Sequence, residues 1–327
     1  MILITGASGF LGRHLVRQLS SQGLQVRALY HTHAPDSELA NLPGISWMQC
    51  DLLDIFAVEE AMKDVTEVYH CAAIVTFDPE KKDEMLHFNP TGTEHIVNQA
   101  LEQGIRKMVY VSSIAALGRA ADLTKEITEE EEWNESKNNS VYAVSKFLAE
   151  MEVWRGIGEG LNAVIVNPGI ILGAGHNTDL SAQLMKVVYK EFPFYSRGVN
   201  SWVDVKDVID VMVMLMASDI TAERYILNGG NHSYKEIFTL MAAALGKKPP
   251  HIYATPFMTS IAWRLSAMRS ALTGKRSIIT RETVKNSNAV CYYNNEKLLK
   301  TFPKFKYRSI STTIADMARS FIENMGK

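Results

Sequence analysis

Short runs of β-branched and apolar residues alternate with longer amphipathic stretches through the first 170 residues. Ile2–Thr5, Gln25–Tyr30, Ser46–Cys50, Glu67–Cys71, Lys107–Ser112 and Ala163–Asn167 have the apolar character of strands buried on both faces. Between them, Leu11–Gln22, Ala57–Met62 and Thr93–Glu102 repeat apolar residues at helical spacing. In the last of these, Ile96, Val97, Ala100 and Leu101 form one stripe. Apolar strands separated by helices predict a doubly wound α/β domain with a parallel sheet, because parallel neighbours need crossover connections. After Pro168 the pattern becomes irregular, with Gly169, Gly173 and Gly175 in a loop-rich passage. Trp202–Val205 and Val208–Ala217 predict one more strand–helix excursion back toward the sheet, and Tyr225–Leu227 a further short strand. Tyr234–Leu245 and Phe257–Leu272 predict helices. The expected organisation is one domain from 1–168 with 200–227, and a smaller, interleaved C-terminal substrate domain from 169–199 with 228–327.

Composition narrows the function classes. The 327 residues are 46% apolar and 21% charged, an ordinary globular mixture. Thirty-four basic residues against 36 acidic ones give a net charge of −2 with no long basic run, so no nucleic-acid partner is expected. The longest apolar run, Val208 to Ala217, is interrupted by Asp210 and falls short of the roughly 18 residues of a membrane span. No basic segment precedes Met1-Ile2-Leu3-Ile4-Thr5, so no secretory leader is expected. Cys50, Cys71 and Cys291 are odd in number and lack metal-type spacing, which fits free thiols in a reducing compartment. The expected location is the cytoplasm.

The first chemical signal is Thr5-Gly6-Ala7-Ser8-Gly9-Phe10-Leu11-Gly12, placed between the first strand and the first helix. Gly6 permits a tight turn, Gly9 lets backbone approach a pyrophosphate, and Gly12 allows close helix–sheet packing. The helix start then offers unpaired N–H groups to the anion. A glycine triplet alone is weak; the strand–turn–helix context makes this one a dinucleotide site. The Gly-x-x-Gly-x-x-Gly spacing resembles the short-chain dehydrogenase/reductase superfamily, and Gly9-Phe10-Leu11-Gly12 its extended branch. That resemblance implies a Rossmann domain and a nicotinamide dinucleotide held by Gly6, Ser8, Gly9, Phe10, Leu11, Gly12 and Arg13.

About 20 residues beyond the turn, where an acidic residue would bind a ribose 2′-hydroxyl, the chain reads Tyr30-His31-Thr32-His33. Similar dihydroflavonol-reductase-like enzymes hold a basic residue there against the 2′-phosphate of NADP. Here His31 takes that place, with Arg13 or Arg27 as possible helpers, so NADP is preferred and NAD is the alternative. The resemblance also implies that Asp51 caps the adenine amino group, with Leu52 beside it; a helix cap or turn role competes for Asp51. His70-Cys71-Ala72-Ala73 resembles the family's His-x-Ala-Ala, in which Cys71, Ala72 and Ala73 lie against the nucleotide. Asn89-Pro90-Thr91-Gly92-Thr93 resembles its Asn-x-x-Gly-Thr, with the Asn bracing backbone and Pro90 tolerated in the first turn of a helix. Asn167-Pro168 matches the segment beneath the nicotinamide.

Tyr142-Ala143-Val144-Ser145-Lys146 places a phenol and an ammonium on one helix face. A free phenol titrates near 10. A neighbouring Lys146 ammonium should draw Tyr142 down toward the working range. Ser113, chosen over Ser112 because the family's serine is followed five residues later by a glycine, here Gly118, would polarise the substrate oxygen. Tyr293 and Lys297 repeat the spacing and are read as a decoy. Glu129–Glu132 is read as a solvated loop. The stripe Phe257, Ile261, Leu265, Met268 and Leu272 is read as core packing, with a lid or a membrane-surface helix as the alternatives. Ser201–Val208 and Arg224–Gly230 also resemble dihydroflavonol 4-reductase-like and hopanoid-associated sugar epimerase-like sequences.

Three functions compete. One is an NADPH-dependent reductase of a ketone or aldehyde using Ser113, Tyr142 and Lys146. A second is a nucleotide-sugar epimerase or dehydratase with tightly held NAD, for which Arg197, Lys247 and Lys248 are available to a pyrophosphate. The third is a non-catalytic cofactor sensor. The resemblance implies a small-molecule carbonyl or sugar substrate and a homodimer, and no metal is expected.

Overall fold

A computed structural model describes residues 1–76, 78–118, 125–136, 139–176, 179–255, 257–264 and 281–325. The first part runs β1 (Ile2–Thr5), α1 (Phe10–Ser21), β2 (Val26–Tyr30), α2 (Ser37–Ala40), β3 (Ile45–Gln49), α3 (Ile55–Met62), β4 (Glu67–His70), α4 (Lys82–Glu102), β5 (Lys107–Val111), α5 (Val141–Gly158) and β6 (Ala163–Pro168). There follow β7 (Ile170–Leu172), α6 (Leu180–Tyr189), β8 (Phe194–Tyr195), β9 (Val199–Asp204), α7 (Val205–Ala217), β10 (Glu223–Leu227), β11 (Gly230–Ser233), α8 (Tyr234–Leu245) and β12 (Ile252–Tyr253). A helix α9 over 257–264, then α10 (Arg281–Asn288), α11 (Glu296–Thr301) and α12 (Ile310–Met325), complete the described chain.

Seven strands form one parallel sheet in the order β3-β2-β1-β4-β5-β6-β10. This is the expected Rossmann arrangement. The order reverses between β1 and β4, and such a switch point opens a crevice at the carboxyl ends of the strands. Alternate strand residues feed two cores. Ile4, Tyr69, Val109 and Val164 face Leu15 of α1 and Met212 of α7. Leu3, Val68, Met108 and Ile165 face Ile96 of α4 and Val153 of α5. Burying one such side chain stabilises the fold by about 1.5–3 kcal/mol. A third cluster, with Leu172, Met185, Trp202, Ile237, Met241 and Met317, joins β7, β9, α6, α8 and α12.

Three sequence expectations about the fold need correction. The Trp202–Val205 strand does not return to the main sheet: β9 pairs with β7 and β11 in a separate three-stranded sheet. Only α7 packs back beneath the main sheet, and β10 supplies the edge strand beside β6. Pro90 is not in a first turn either, because α4 begins at Lys82. A short turn at Pro79–Lys81 and the first-turn acids Asp83 and Glu84 start the helix early. A proline inside a helix removes one backbone hydrogen bond, and the packed turns around it carry the rest. Phe257 and Ile261 on α9 are exposed, so the first half of that stripe is not core. Leu265, Met268 and Leu272 lie outside the described residues. Among the described residues no helix is long and apolar enough to cross a membrane.

Candidate active site

The glycine turn is held by backbone contacts that a side chain would break. Gly6 has φ +63°, and a Cβ on it would lie 2.7 Å from Ala72 Cα. A Cβ on Gly12 would meet Ala7 Cα at 2.7 Å and the Gly6 carbonyl closer still. Gly9 caps α1 without any side-chain hydrogen bond, and the first turn of α1 carries no acid. The leading N–H groups of this helix are therefore uncapped by side chains, which is the arrangement that suits a pyrophosphate. Ser8, Phe10 and Leu11 share the turn and the first helical residues. Arg13 is buried, with its guanidinium paired to Asp179 and lying over the Phe10 ring.

The edge that would meet the adenosine ribose is less open to phosphate than the sequence suggests. His31 Nε2 lies 3.7 Å from Asp51 Oδ2, both side chains about half exposed. Asp51 Oδ1 accepts from Leu53 N at 3.0 Å, so the carboxylate also shapes the turn that buries Leu52. Arg27 donates to the carbonyls of Ala61 and Lys63 at 2.7 Å each and is a structural tie between β2 and α3. With Arg13 engaged by Asp179, His31 is the basic side chain left at this edge.

Cys71, Ala72 and Ala73 leave the end of β4 and run past the glycine turn. The N–H groups of Cys71 and Ala72 both donate to Thr5 Oγ1 at 3.1 Å. Burial pushes the Cys71 thiol up to about 12, so it is inert as a nucleophile. Asn89 braces this segment as the motif implies: Oδ1 accepts from Ile74 N at 2.7 Å, and Nδ2 donates to Ile74 O at 3.0 Å.

Ser140 starts α5 as its N-cap, its hydroxyl accepting from Ala143 N at 3.0 Å. In its first turn the half-buried Tyr142 faces Ser113, whose hydroxyl opposes the burial that raises the phenol, while Ser112 points elsewhere, donating to Glu150 Oε2 at 2.6 Å. The geometry thus brings Ser113, not Ser112, to the phenol. Lys146 is buried, and its ammonium donates to Tyr110 OH at 3.0 Å and to Val111 O at 2.9 Å. Burial lowers its pKa to about 8, opposed by Glu150 and Cys71. The Tyr142 expectation is reversed: burial raises the phenol, only the Ser113 bond lowers it, and Lys146 is turned toward β5.

Glu150, which the sequence analysis did not single out, is the anchor behind the set. It is 2% exposed and accepts from Ser112 Oγ, from Asn167 Nδ2 at 2.8 Å, from Trp154 Nε1 at 3.3 Å and from Arg224 at 3.1 Å. Asn167 Nδ2 also donates to Ser113 O at 3.1 Å, which fixes its amide orientation, and its buried Oδ1 has no partner. A buried acceptor beside Ser113 suits an amide N–H of a ligand. Pro168 ends β6 against Leu227 of β10. Arg224 further holds the carbonyls of Glu129 and Glu131, and Glu129 Oε1 accepts from Ile226 N at 2.8 Å. Glu129 is therefore buried clamp rather than solvated loop, while Glu130 and Glu132 are exposed. The available signal was position: Glu150 lies one turn beyond Lys146 on the same face of α5. The second Tyr-x-x-x-Lys is split, because α11 begins only at Glu296 and Lys297 pairs with Glu223 at 2.5 Å.

A parallel sheet whose switch point meets a helix start without side-chain caps is the arrangement of nicotinamide-dinucleotide folds. Residues 2–228 match the NAD dependent epimerase/dehydratase family, and the chain belongs to that family, an enzyme of the extended short-chain dehydrogenase/reductase type. It is 28% identical over 325 residues, 97% of this chain and 93% of the relative, to the Synechocystis sp. protein named "Putative dihydroflavonol 4-reductase". It is 29% identical to cinnamoyl-CoA reductase 1 of Petunia hybrida, covering 69% of this chain and 72% of that one. The solved structure of gox2253 superposes with a TM-score of 0.82 at 27% identity, covering 99% of this chain and 98% of that one.

Proposed function

We propose that the chain is an NADPH-dependent reductase of a ketone or aldehyde, with Ser113, Tyr142 and Lys146 as its catalytic set. The observation that supports this reading is the placement of Tyr142 in the first turn of α5, facing Ser113 at the end of β5. A phenol is protonated at neutral pH even at its ordinary value, and burial raises it further, so it has a proton to give. Reduction needs a proton delivered to the carbonyl oxygen. Ser113 is bonded to that phenol, so an oxygen placed between the two hydroxyls would be polarised by one and protonated by the other. Lys146, held against Tyr110 and Val111 O, has one N–H left and would give it to the cofactor or substrate. The dinucleotide, when bound, supplies the hydride. The turn Gly6–Gly12 would hold its pyrophosphate, Cys71–Ala73 would line it, and Asn167 would take its carboxamide. Segments 169–199 and 228–327 would hold the substrate, whose apolar parts suit the exposed Phe257 and Ile261 of α9. The reductase names of two relatives agree with this direction of chemistry.

Tyr142→Phe tests the reading directly. The expected result is a fall in kcat of about 10²–10⁴-fold with a carbonyl panel, and NADPH affinity unchanged within about twofold. Full turnover in the variant would remove Tyr142 from the mechanism. The second reading, an epimerase or dehydratase with tightly held NAD, is favoured by one feature: Asp51 beside His31, where a 2′-phosphate would meet a carboxylate. Co-purified NAD and no net NADPH consumption would put that reading first.

A further inference from the structure

Resting on the reductase reading of Lys146, we propose that Tyr110, backed by Thr93, His70 and Thr5, is a positioning residue that holds the Lys146 ammonium in place. The row is set by sheet register. Thr5 of β1 pairs with His70 of β4, and His70 pairs with Tyr110 of β5, so three neighbouring strands present these side chains side by side. Thr93 comes down from α4 and Lys146 from α5 to complete it. All five are at most 2% exposed.

Each hydrogen in the row has one available place. Thr5 Oγ1 accepts from the N–H groups of Cys71 and Ala72, so its own hydrogen goes to His70 Nδ1 at 2.6 Å. Burial, with the Lys146 charge adding to it, takes the His70 pKa down to about 3, so the imidazole is neutral and carries its hydrogen on Nε2. That hydrogen goes to Thr93 Oγ1 at 3.0 Å. Thr93 donates to Asn89 O at 2.7 Å and so can only accept from Tyr110, whose phenol it lowers against the burial that raises it. With its single hydrogen committed to Thr93, Tyr110 can only accept from Lys146 Nζ, 3.0 Å away. Val111 O takes a second N–H of the ammonium at 2.9 Å, leaving one for cofactor or substrate.

The row is not a proton wire. It ends at the backbone N–H groups of Cys71 and Ala72, which have no proton to pass on. Its effect is directional: an oxygen that can only accept favours the ammonium over the neutral amine and fixes where it points. The same row reaches the segment against which Gly6 packs, so one network ties the dinucleotide turn to the catalytic lysine. Buried polar chains of this kind are costly when any member is unpaired, which makes each link testable by removal. The other titratable groups around Lys146 are Glu150 and Tyr142 on its own helix, and His70 and Cys71 at the end of β4.

The test is a pH titration of the lysine side-chain NMR signals of the full chain without cofactor, with Lys146 assigned by its loss in Lys146→Met. Tyr110→Phe keeps the ring 4.7 Å from the ammonium and removes only the oxygen. The expected result is a midpoint lower by about 0.5–1 pH unit. Thr93→Val should shift it in the same direction, Thr93→Ser should restore the wild-type value, and Tyr110→Phe with Thr93→Val together should shift it no further than Tyr110→Phe alone. An unchanged midpoint in Tyr110→Phe overturns the proposal, and so does a Thr93→Val variant that matches Thr93→Ser. If Tyr110→Phe does not fold, the Thr93→Val and Thr93→Ser pair decides. None of these readings needs turnover, so the result stands apart from the Tyr142→Phe assay, which tests the reductase itself.

Discussion

At the scale of single residues, environment sets the chemistry and residue type alone does not. Tyr142, half-buried, and Tyr110, fully buried, are both phenols raised above their ordinary range, yet one faces Ser113 and the other Lys146. His31 and Asp51 face one another at partly exposed positions, and on the proposed reading this pair meets the adenosine ribose and sets the cofactor choice by a small electrostatic difference. Asp51→Asn removes the carboxylate that a 2′-phosphate would meet and keeps an acceptor for Leu53 N. Exposed charge pairs at such distances are worth about 0.2–1 kcal/mol, so the NADP-to-NAD affinity ratio should rise about two- to fivefold. Titration of the variant and the parent with NADPH, NADP⁺, NADH and NAD⁺ measures it. An unchanged ratio would take this edge out of cofactor selection.

At the scale of elements, one arginine connects three of them. Arg224 on β10 reaches Glu150 on α5 and the carbonyls of Glu129 and Glu131 in the segment leading to α5. Trp133 of that segment stacks on Phe147 of α5 with ring centroids 4.3 Å apart. The approach to α5 is thus fixed from the edge strand of the sheet. Arg224→Met leaves a buried carboxylate without its charged partner, and losses of this kind cost about 3–5 kcal/mol. The expected readout is a lower denaturant midpoint, with faster amide exchange concentrated over 125–136. The Glu150→Gln change made on top of Arg224→Met should recover part of that loss, because the uncompensated charge is then gone. Equal stability of Arg224→Met and wild type would show that the clamp contributes little.

At the scale of the whole molecule, buried histidines make the fold sensitive to acid. His70 is held to a pKa of about 3 by burial and then by Lys146, and His14 is lowered by burial as well. In the unfolded chain a histidine titrates near 6.5. Below that pH the unfolded state takes up a proton that the folded state refuses. Stability is therefore complete above about pH 6.5 and falls as pH drops toward 3, by up to about 1.4 kcal/mol per unit for His70 alone. Chemical denaturation from pH 7.5 to 4.5 should show this slope. His70→Gln should flatten it while lowering stability at neutral pH, and an unchanged slope would move the acid sensitivity to other groups.

The sequence by itself determined the parallel sheet, the dinucleotide turn and the phenol–ammonium spacing. These are local or periodic features: apolar strands at Ile2–Thr5 or Ala163–Pro168, glycines where a Cβ would strike backbone, and two side chains one helical turn apart. What tertiary structure decided are relations between distant segments. The spacing to Gly118 already points to Ser113 over Ser112, but what holds Ser112 away from the phenol is Glu150, 38 residues on. The separate sheet of β9 depended on pairing with β7 and β11, which its own apolar run does not distinguish from pairing with the main sheet. Arg13, Arg27 and Glu129 could not be assigned from sequence because a charge has no fixed meaning until its partner is in place, here Asp179, two backbone carbonyls and the Ile226 N–H. Periodicity reports which face of an element is buried, but not which buried face it meets.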